Sequence, residues 1–337
     1  MENKNIVLEV RNVSHNFGAK YVLWDVNIDV LAGEIVGLVG PSGCGKSTLL
    51  RAILGTHPAA HGVITVHGGR SGRELKVVSK ANRDCGIVYQ KYTLFPFLTA
   101  LENVAAGLKF DESNLFQRSA GKLMKFNFTS GKMKWSSLRK IHLEKAAALL
   151  EKLRLKDAID KYPRELSGGM RQRVAIAQSL IMKPKILLLD EPFGALDEAT
   201  REELQTMLLE LYEDNVNAKR KGENPPYTII IVTHELNEAI LVGDRVLGLS
   251  QHWDSKSAGD PRAINASTIV YDSISPVFLP DQERDYSLFA EQRKEIRDFV
   301  FNPDFLPKPG EFKLRFWKQI ENREGRGILS LGDKKNE

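Results

Sequence analysis

Apolar positions along the chain fall into short runs separated by turn residues, and the spacing within each run changes from one part to the next. Ile6–Val10 and Trp24–Val30 alternate apolar with polar residues, with turn chemistry at Asn16–Gly18 and again at Ala32–Gly33 before the apolar run Ile35–Val39. This predicts an antiparallel lead-in to a buried strand. Leu49–Leu54 reads as a helix, and Gly86–Tyr89 as a short strand that delivers Gln90. LSGGM at Leu166–Met170 continues as RQRVAIAQSL into a further helix. ILLLDE at Ile186–Glu191 is an unbroken apolar run, the pattern of a parallel strand covered on both faces, and it ends in two adjacent carboxylates. Thr228–Thr233 is a second such strand, with His234 at its end where a helix begins. No apolar stretch approaches the roughly 20 residues of a bilayer span, and the polar Met1–Asn5 lacks a signal peptide's apolar centre. Both features lead to the expectation of a cytoplasmic protein.

The 337 residues are 42% hydrophobic and 27% charged, which supports one large domain with an appendage. A formal net charge of +5 is too modest to suggest nucleic acid by itself. Cys44 and Cys85 make no disulfide framework, which agrees with a reducing compartment. His57, His61 and His67 do not read as a metal site, because Pro58, Gly62, Gly68 and Gly69 break the helix that would align His57 with His61.

The densest chemistry lies in GPSGCGKST: Gly40, Pro41, Ser42, Gly43, Cys44, Gly45, Lys46, Ser47 and Thr48. A glycine-rich turn between a buried strand and a helix aims backbone N–H groups and the positive helix end at one point, which suits a phosphate. Gly40 and Gly45 permit the tight loop, Lys46 can reach the outer phosphates, and the Ser47 hydroxyl can ligate Mg2+. The same helix end would favour the thiolate of Cys44. A second anion site is predicted where Ser167 caps a helix and Gly168 and Gly169 leave N–H groups uncovered. Asp190 and Glu191, as neighbours on an extended segment, should point opposite ways, Asp190 to the Mg2+ shell and Glu191 to an attacking water. Phe17 is placed either to stack on a nucleotide base or to serve as an ordinary turn or core aromatic.

In order, the P-loop, Gln90, LSGGM, ILLLDE, GALD (Gly194–Asp197) and the pair Thr233–His234 resemble the nucleotide-binding subunit of an ABC transporter over roughly residues 5–250. The resemblance implies an α/β fold: a RecA-like P-loop ATPase core, an N-terminal antiparallel β subdomain and a helical subdomain at about 91–180. It makes Phe17 the base-stacking aromatic, Gln90 the sensor of Mg2+ and attacking water, Glu191 the general base, His234 a γ-phosphate contact and Asp197 a dimer-interface residue. Ser167, Gly168 and Gly169 would bind the ATP held by a second cassette, either another copy or a homologue, in a head-to-tail dimer. Lys91–Val104 resembles the importer branch, where it receives a coupling helix. LSGGMRQR and NRDCGIVYQ are most like cassettes for nitrate, sulfonate, taurine or bicarbonate. Transmembrane permease subunits, an extracytoplasmic solute-binding protein, a small anionic solute and a peripheral place on the cytoplasmic face of the cell membrane follow, with no nucleic acid expected. The alternative from another class is a soluble ABC ATPase in a non-transport role. Such proteins typically join two cassettes in one chain or insert a long coiled coil, and neither is present here.

Three stretches depart from the family pattern. Residues 110–138 read as a basic insertion ahead of a helix starting near Arg139. Residues 109–140 carry eight basic and two acidic side chains, a net +6 that exceeds the whole chain's +5. With Leu115, Phe116, Phe126, Phe128 and Trp135 interleaved, the segment could meet anionic lipid or a membrane subunit, or it could be a solvated loop. Asn215–Pro226 reads as a surface linker. Residues 251–337 hold too many aromatics for a disordered tail, among them Trp253, Phe289, Phe299, Phe312 and Trp317, while Pro303, Pro307 and Pro309 argue against one long helix. An ordered, irregular extension packed on its own cassette is expected.

Overall fold

The computed structural model describes residues 5–68, 74–91, 93–112, 129–194, 196–276, 286–322 and 327–330. They form two compact units: Met1–Gln90 with Lys185–Gly194 and Arg201–Glu337, and Lys91–Pro184 with Ala195–Thr200.

In the first unit, β1 (Ile6–Phe17) and β2 (Lys20–Leu31) pair antiparallel around a turn at residues 18 and 19. Both strands are longer than their alternation marks. Register shifts between Val10 and His15 insert extra residues and break the period of two, with Asn12 and Asp25 at positive φ. After β3 (Ile35–Val39) and α1 (Lys46–Leu54), β4 (His61–Gly68) and β5 (Glu74–Val77) complete a four-stranded antiparallel sheet in the order β2-β1-β4-β5. The strand β6 (Cys85–Val88) then leads to the second unit, whose helices are α2 (Ala100–Glu112), α3 (Thr129–Lys152) and α4 (Gly168–Leu180). The chain returns through β7 (Ile186–Asp190), α5 (Glu198–Arg220), β8 (Ile229–Val232), α6 (Leu236–Val242) and β9 (Arg245–Ser250). It ends with β10 (Thr268–Ile274), α7 (Tyr286–Ile296), β11 (Lys313–Leu314) and α8 (Phe316–Glu321). A seven-stranded sheet runs β11-β10-β9-β3-β8-β7-β6, and β9, β3, β8, β7 and β6 are mutually parallel.

One apolar core joins the two sheets. Leu49, Leu50 and Ile53 on α1 pack with Val13 and Val66 of the antiparallel sheet and with Leu38, Leu188 and Val232 of the parallel one. The parallel strands are buried on both faces, which is why they read as continuous apolar runs.

Two sequence expectations change, and the stretch after Ser250 gains regular elements. The helix placed near Arg139 begins at Thr129, while residues 113–128 of the basic insertion lie outside the described residues. Asn215–Pro226 is not a linker throughout, because α5 continues to Arg220 and Asn215 is fully buried. The Asn215 amide donates to the carbonyls of Gly33 (2.8 Å) and Tyr227 (2.6 Å) and accepts from the Tyr227 N–H, closing the turn between α5 and β8. The stretch after Ser250 adds β10 and β11 to the central sheet. Trp253, Val270, Ile296 and Val300 share a core with Val39, Ala239, Ile240 and Val246.

A buried charge cluster ties this stretch to the centre. Arg245, fully buried at the start of β9, donates Nε and Nη2 to the two carboxylate oxygens of Asp272 at 2.5 and 2.6 Å. Its Nη1 donates to the Asp29 carbonyl at 2.7 Å and reaches Glu34 at 3.5 Å, and the Phe316 ring covers the guanidinium with 3.5 Å from Cζ to the centroid. Burial pushes Glu34 up to about 7, against the pull of Arg245.

Breaking a buried pair leaves an uncompensated charge, so Asp272→Ala should cost about 3–5 kcal/mol in urea unfolding. Glu34 holds its proton more tightly folded (about 7) than unfolded (4.5), so its contribution to stability is present below pH 4.5 and lost as pH rises through 7. Glu34→Gln should therefore flatten the fall in urea midpoint between pH 5 and pH 8.

Candidate functional site

At the ends of β3, β7 and β8 the chain makes three turns side by side. The first runs from Gly40 to Gly45. A Cβ on Gly40 would lie 2.1 Å from the Leu249 carbonyl oxygen and 2.8 Å from Cys44 Sγ, so only glycine lets the loop lie against β9. Gly45 has φ +97° and would meet Val22 of β2 at 2.8 Å, so both backbone angle and space require glycine there. Lys46 is buried and its Nζ donates to the carbonyls of Gly40 (2.8 Å) and Pro41 (3.0 Å), holding one cation inside the ring of the loop. Pro41, Ser42 and Gly43 form the outer part of that loop, and the Thr48 side chain follows on the first turn of α1.

Cys44 departs from expectation. Its side chain belongs to the core beneath the loop, its N–H donates to the Pro41 carbonyl at 3.3 Å, and burial pushes the thiol up despite the nearby Lys46 charge. Desolvation outweighs the helix end here, because the sulfur points inward while the dipole acts at the outer, polar mouth of the loop.

The second turn carries the carboxylates. Asp190 Oδ1 accepts from Ser47 Oγ at 3.4 Å, and burial, then the charge of Glu191, hold the Asp190 carboxyl above its ordinary range. Glu191 leaves the strand at φ +49°, so the two carboxylates diverge through a left-handed turn and not through strand alternation. The Glu191 Oε2 accepts from Gln90 Nε2 at 3.1 Å, and Oε1 lies 3.6 Å from His234 Nδ1. Ser47 with Asp190 offers two oxygen donors of the kind Mg2+ prefers. With its amide nitrogen on Glu191, the Gln90 side-chain oxygen is the atom left to join them.

The third turn is braced by residues that sequence reasoning missed. Thr233 Oγ1 donates to buried Glu238 Oε2 at 2.5 Å and accepts the Glu235 N–H at 3.0 Å, fixing the backbone on both sides of His234. Burial holds Glu238 above its usual range, and Arg201 pairs with it at 3.5 Å. The only local signal was a glutamate four residues past His234, which any helix could carry. Phe17 lies at the end of β1, half exposed at 52%, with its ring edge-on to His15 at 4.9 Å. His61 bonds the Tyr21 hydroxyl and His67 faces Glu9.

In the second unit, Ser167 is the N-cap of α4, its Oγ accepting the Met170 N–H at 3.2 Å. A Cβ on Gly169 would lie 1.9 Å from Thr200, so glycine is required where the helix start meets that threonine. The first-turn N–H groups of a helix have no partner within it, which keeps this end open to an anion. Asp197 Oδ1 accepts the Thr200 N–H at 2.9 Å, capping α5.

A family model described as ABC transporter matches residues 23–194. The sulfate/thiosulfate import ATP-binding protein CysA of Pseudomonas aeruginosa is 38% identical over 279 residues, 82% of this chain and 73% of that protein. That of Pseudomonas syringae pv. tomato is 40% identical over 248 residues, 72% of this chain and 64% of that protein, so the chain spans less than two thirds of that relative. Among solved structures, the ATP-binding cassette MJ0796 in a dimeric post-hydrolysis state bound to ADP and Pi is 26% identical, with a TM-score of 0.55 over 80% of this chain and 100% of that one. A second dimeric MJ0796 structure is 30% identical, with a TM-score of 0.52 over 71% of this chain and 93% of that one.

With both thiols buried, neither Cys44 nor Cys85 should react rapidly with an aromatic disulfide reagent at pH 8 in the folded chain, with or without Mg-ATP. Both should react at once in urea. Rapid labelling of one folded-state thiol, blocked by Mg-ATP, would show Cys44 facing the loop.

Proposed function

The chain belongs to the family of ABC transporter ATP-binding subunits, and from that premise we propose how its residues divide the work of binding and hydrolysis. It is an ATP-binding, ATP-hydrolysing transport subunit of importer type with the cassette's α/β fold. The loop Gly40–Thr48 cradles the phosphates, Lys46 exchanges its loop carbonyls for the outer phosphates, and Ser47, Asp190 and Gln90 hold Mg2+. That ion supplies neutralisation of phosphate charge. Glu191 accepts the proton of the attacking water as its oxygen bonds to the terminal phosphorus and the bridging oxygen leaves with ADP. His234 orients the water and terminal phosphate beside Glu191, with Thr233 and Glu238 as positioning residues. Phe17 stacks on the base. The observation carrying this assignment is the convergence of Gln90, Glu191 and His234 at one turn, next to the Ser47–Asp190 pair.

Ser167, Gly168 and Gly169 close over the ATP of a second cassette, copy or homologue, with Asp197 at the seam, so each nucleotide is part of the interface. The dimeric state of the MJ0796 cassette supports a paired assembly. Permease subunits are the membrane partners, and no described helix is long and apolar enough to cross a membrane. Phe97, 71% exposed beside Phe95, offers an apolar surface in Lys91–Val104 for a permease helix. We assign the cytoplasmic face of the membrane and an extracytoplasmic solute-binding protein as the delivery partner. A small oxyanion is the cargo class we favour. Import of sulfate or thiosulfate, printed in the relatives' names, supports an anion, while the nitrate, sulfonate, taurine or bicarbonate branch rests on the sequence motifs alone. The import named for these relatives favours this reading over the soluble, non-transport alternative.

Glu191→Gln should keep ATP binding while lowering hydrolysis by about two to four orders of magnitude, and should accumulate a dimer in Mg-ATP. Lys46→Ala should lose nucleotide and stay monomeric, and Ser167→Arg should bind ATP as a monomer. Size-exclusion chromatography with Mg-ATP reads all three. A Glu191→Gln chain that stays monomeric at high concentration with its membrane partner present would overturn the shared-site reading.

A further inference from the structure

Glu238 is buried on the first turn of α6, and its two carboxylate oxygens serve different partners. Oε2 accepts from Thr233 Oγ1 at 2.5 Å, and Oε1 faces Arg201 Nε of α5 at 3.5 Å, a charge contact longer than a hydrogen bond. The shorter separation is that of a hydroxyl donating to an ionised carboxylate, about 2.5–2.7 Å.

The direction of that bond matters for His234. Thr233 Oγ1 has one hydrogen and gives it to Glu238, so its lone pairs remain free to accept the Glu235 N–H at 3.0 Å. Backbone is thereby fixed on both sides of His234, whose Nδ1 lies 3.6 Å from Glu191 Oε1. A neutral Glu238 would hold the threonine less well. Its carboxyl would either accept through the carbonyl oxygen, at roughly half the strength, or turn its O–H onto Thr233 Oγ1 and compete with the Glu235 N–H.

Burial works against the charge on Glu238 and holds the carboxyl above its usual range. The charged groups acting on it are Arg201 from α5 and, from the turn before α6, Glu235 and His234. Glu235 opposes ionisation, and Arg201 favours it more strongly than His234 does.

We propose that Arg201 is a positioning residue for ATP hydrolysis: by keeping Glu238 in its acceptor form it holds Thr233, and through Thr233 the turn that carries His234. The inference rests on the assignment of Glu191 and His234 to hydrolysis. Arg201 acts on turnover and leaves ATP affinity in place.

The test follows kcat and KM for ATP against pH, using the full chain reconstituted with its membrane partner. Arg201 has 38% of its side chain exposed, so its replacement should not open the core. Arg201→Met raises the pH at which Glu238 takes up a proton, and kcat should therefore fall earlier on the acid side. The ratio of kcat at pH 6 to kcat at pH 8 should drop by about twofold or more below that of the wild type, with KM little changed. Arg201→Lys keeps the charge and should return the ratio towards the wild-type value. On a Glu238→Gln background, where no proton is taken up, Arg201→Met should leave the ratio unmoved. The proposal is overturned if Arg201→Met leaves the acid limb in its wild-type place, if the same displacement appears in Glu238→Gln chains, or if Arg201→Lys behaves as Arg201→Met does. Glu191→Gln and His234→Ala, measured alongside, separate this inference from the assignment beneath it. Hydrolysis that survives both changes would remove the assignment and the proposal with it, whereas loss of hydrolysis in both with an unmoved Arg201→Met profile would remove the proposal alone.

Discussion

Hydrogen-bonded register among parallel strands sets the geometry on which the site depends. Leu38 of β3 and Asp190 of β7 both pair with Val232 of β8, so the three strands end at one level. The ladder runs one residue further into the turns, with Glu191 N–H donating to the Val232 carbonyl and Thr233 N–H to the Leu38 carbonyl. A slip of one residue on any of these strands would turn its buried face outward and carry the loop, the carboxylates or the histidine away from the others. Apolar burial enforces the register, and the register brings the polar groups together.

Support comes from behind and from far along the chain. Gly40 rests against the carbonyl of Leu249, so the phosphate-type loop is shaped by β9, and β9 is held in turn by Arg245 and by pairing with β10. The residues after Ser250 therefore bear on the loop through the sheet edge that backs it. Thr233 and Glu238 do the same for His234, using a short buried hydrogen bond where α6 begins.

The legible parts of the sequence were those with a local cause. Continuous apolar runs marked β3, β7 and β8 because burial on both faces demands them, and the glycines at 40, 45 and 169 stood out because backbone contact or angle leaves no room for a side chain. What escaped notice was set by partners distant in sequence. Asn215 sits in a polar stretch, yet its amide closes a turn against Gly33. Cys44 sits beside a helix start, yet its sulfur faces the core. Arg245 is one arginine among many until Asp29, Glu34, Asp272 and Phe316 surround it. Strand lengths at β1 and β2 were underread because bulges interrupt the alternation on which the reading relied.

The proposed mechanism divides each ATP site between two chains, with Lys46 and Glu191 on one side and Ser167–Gly169 on the other. Mixing Lys46→Ala chains with Ser167→Arg chains tests that division directly, since neither variant alone can assemble an intact site. In a head-to-tail pair the mixed dimer joins an unaltered Lys46 to an unaltered Ser167 at one of its two sites. The account predicts that ATP hydrolysis by the mixture, reconstituted with its membrane partner, rises well above that of either variant. A mixture that stays at the mean of its two parents would contradict it.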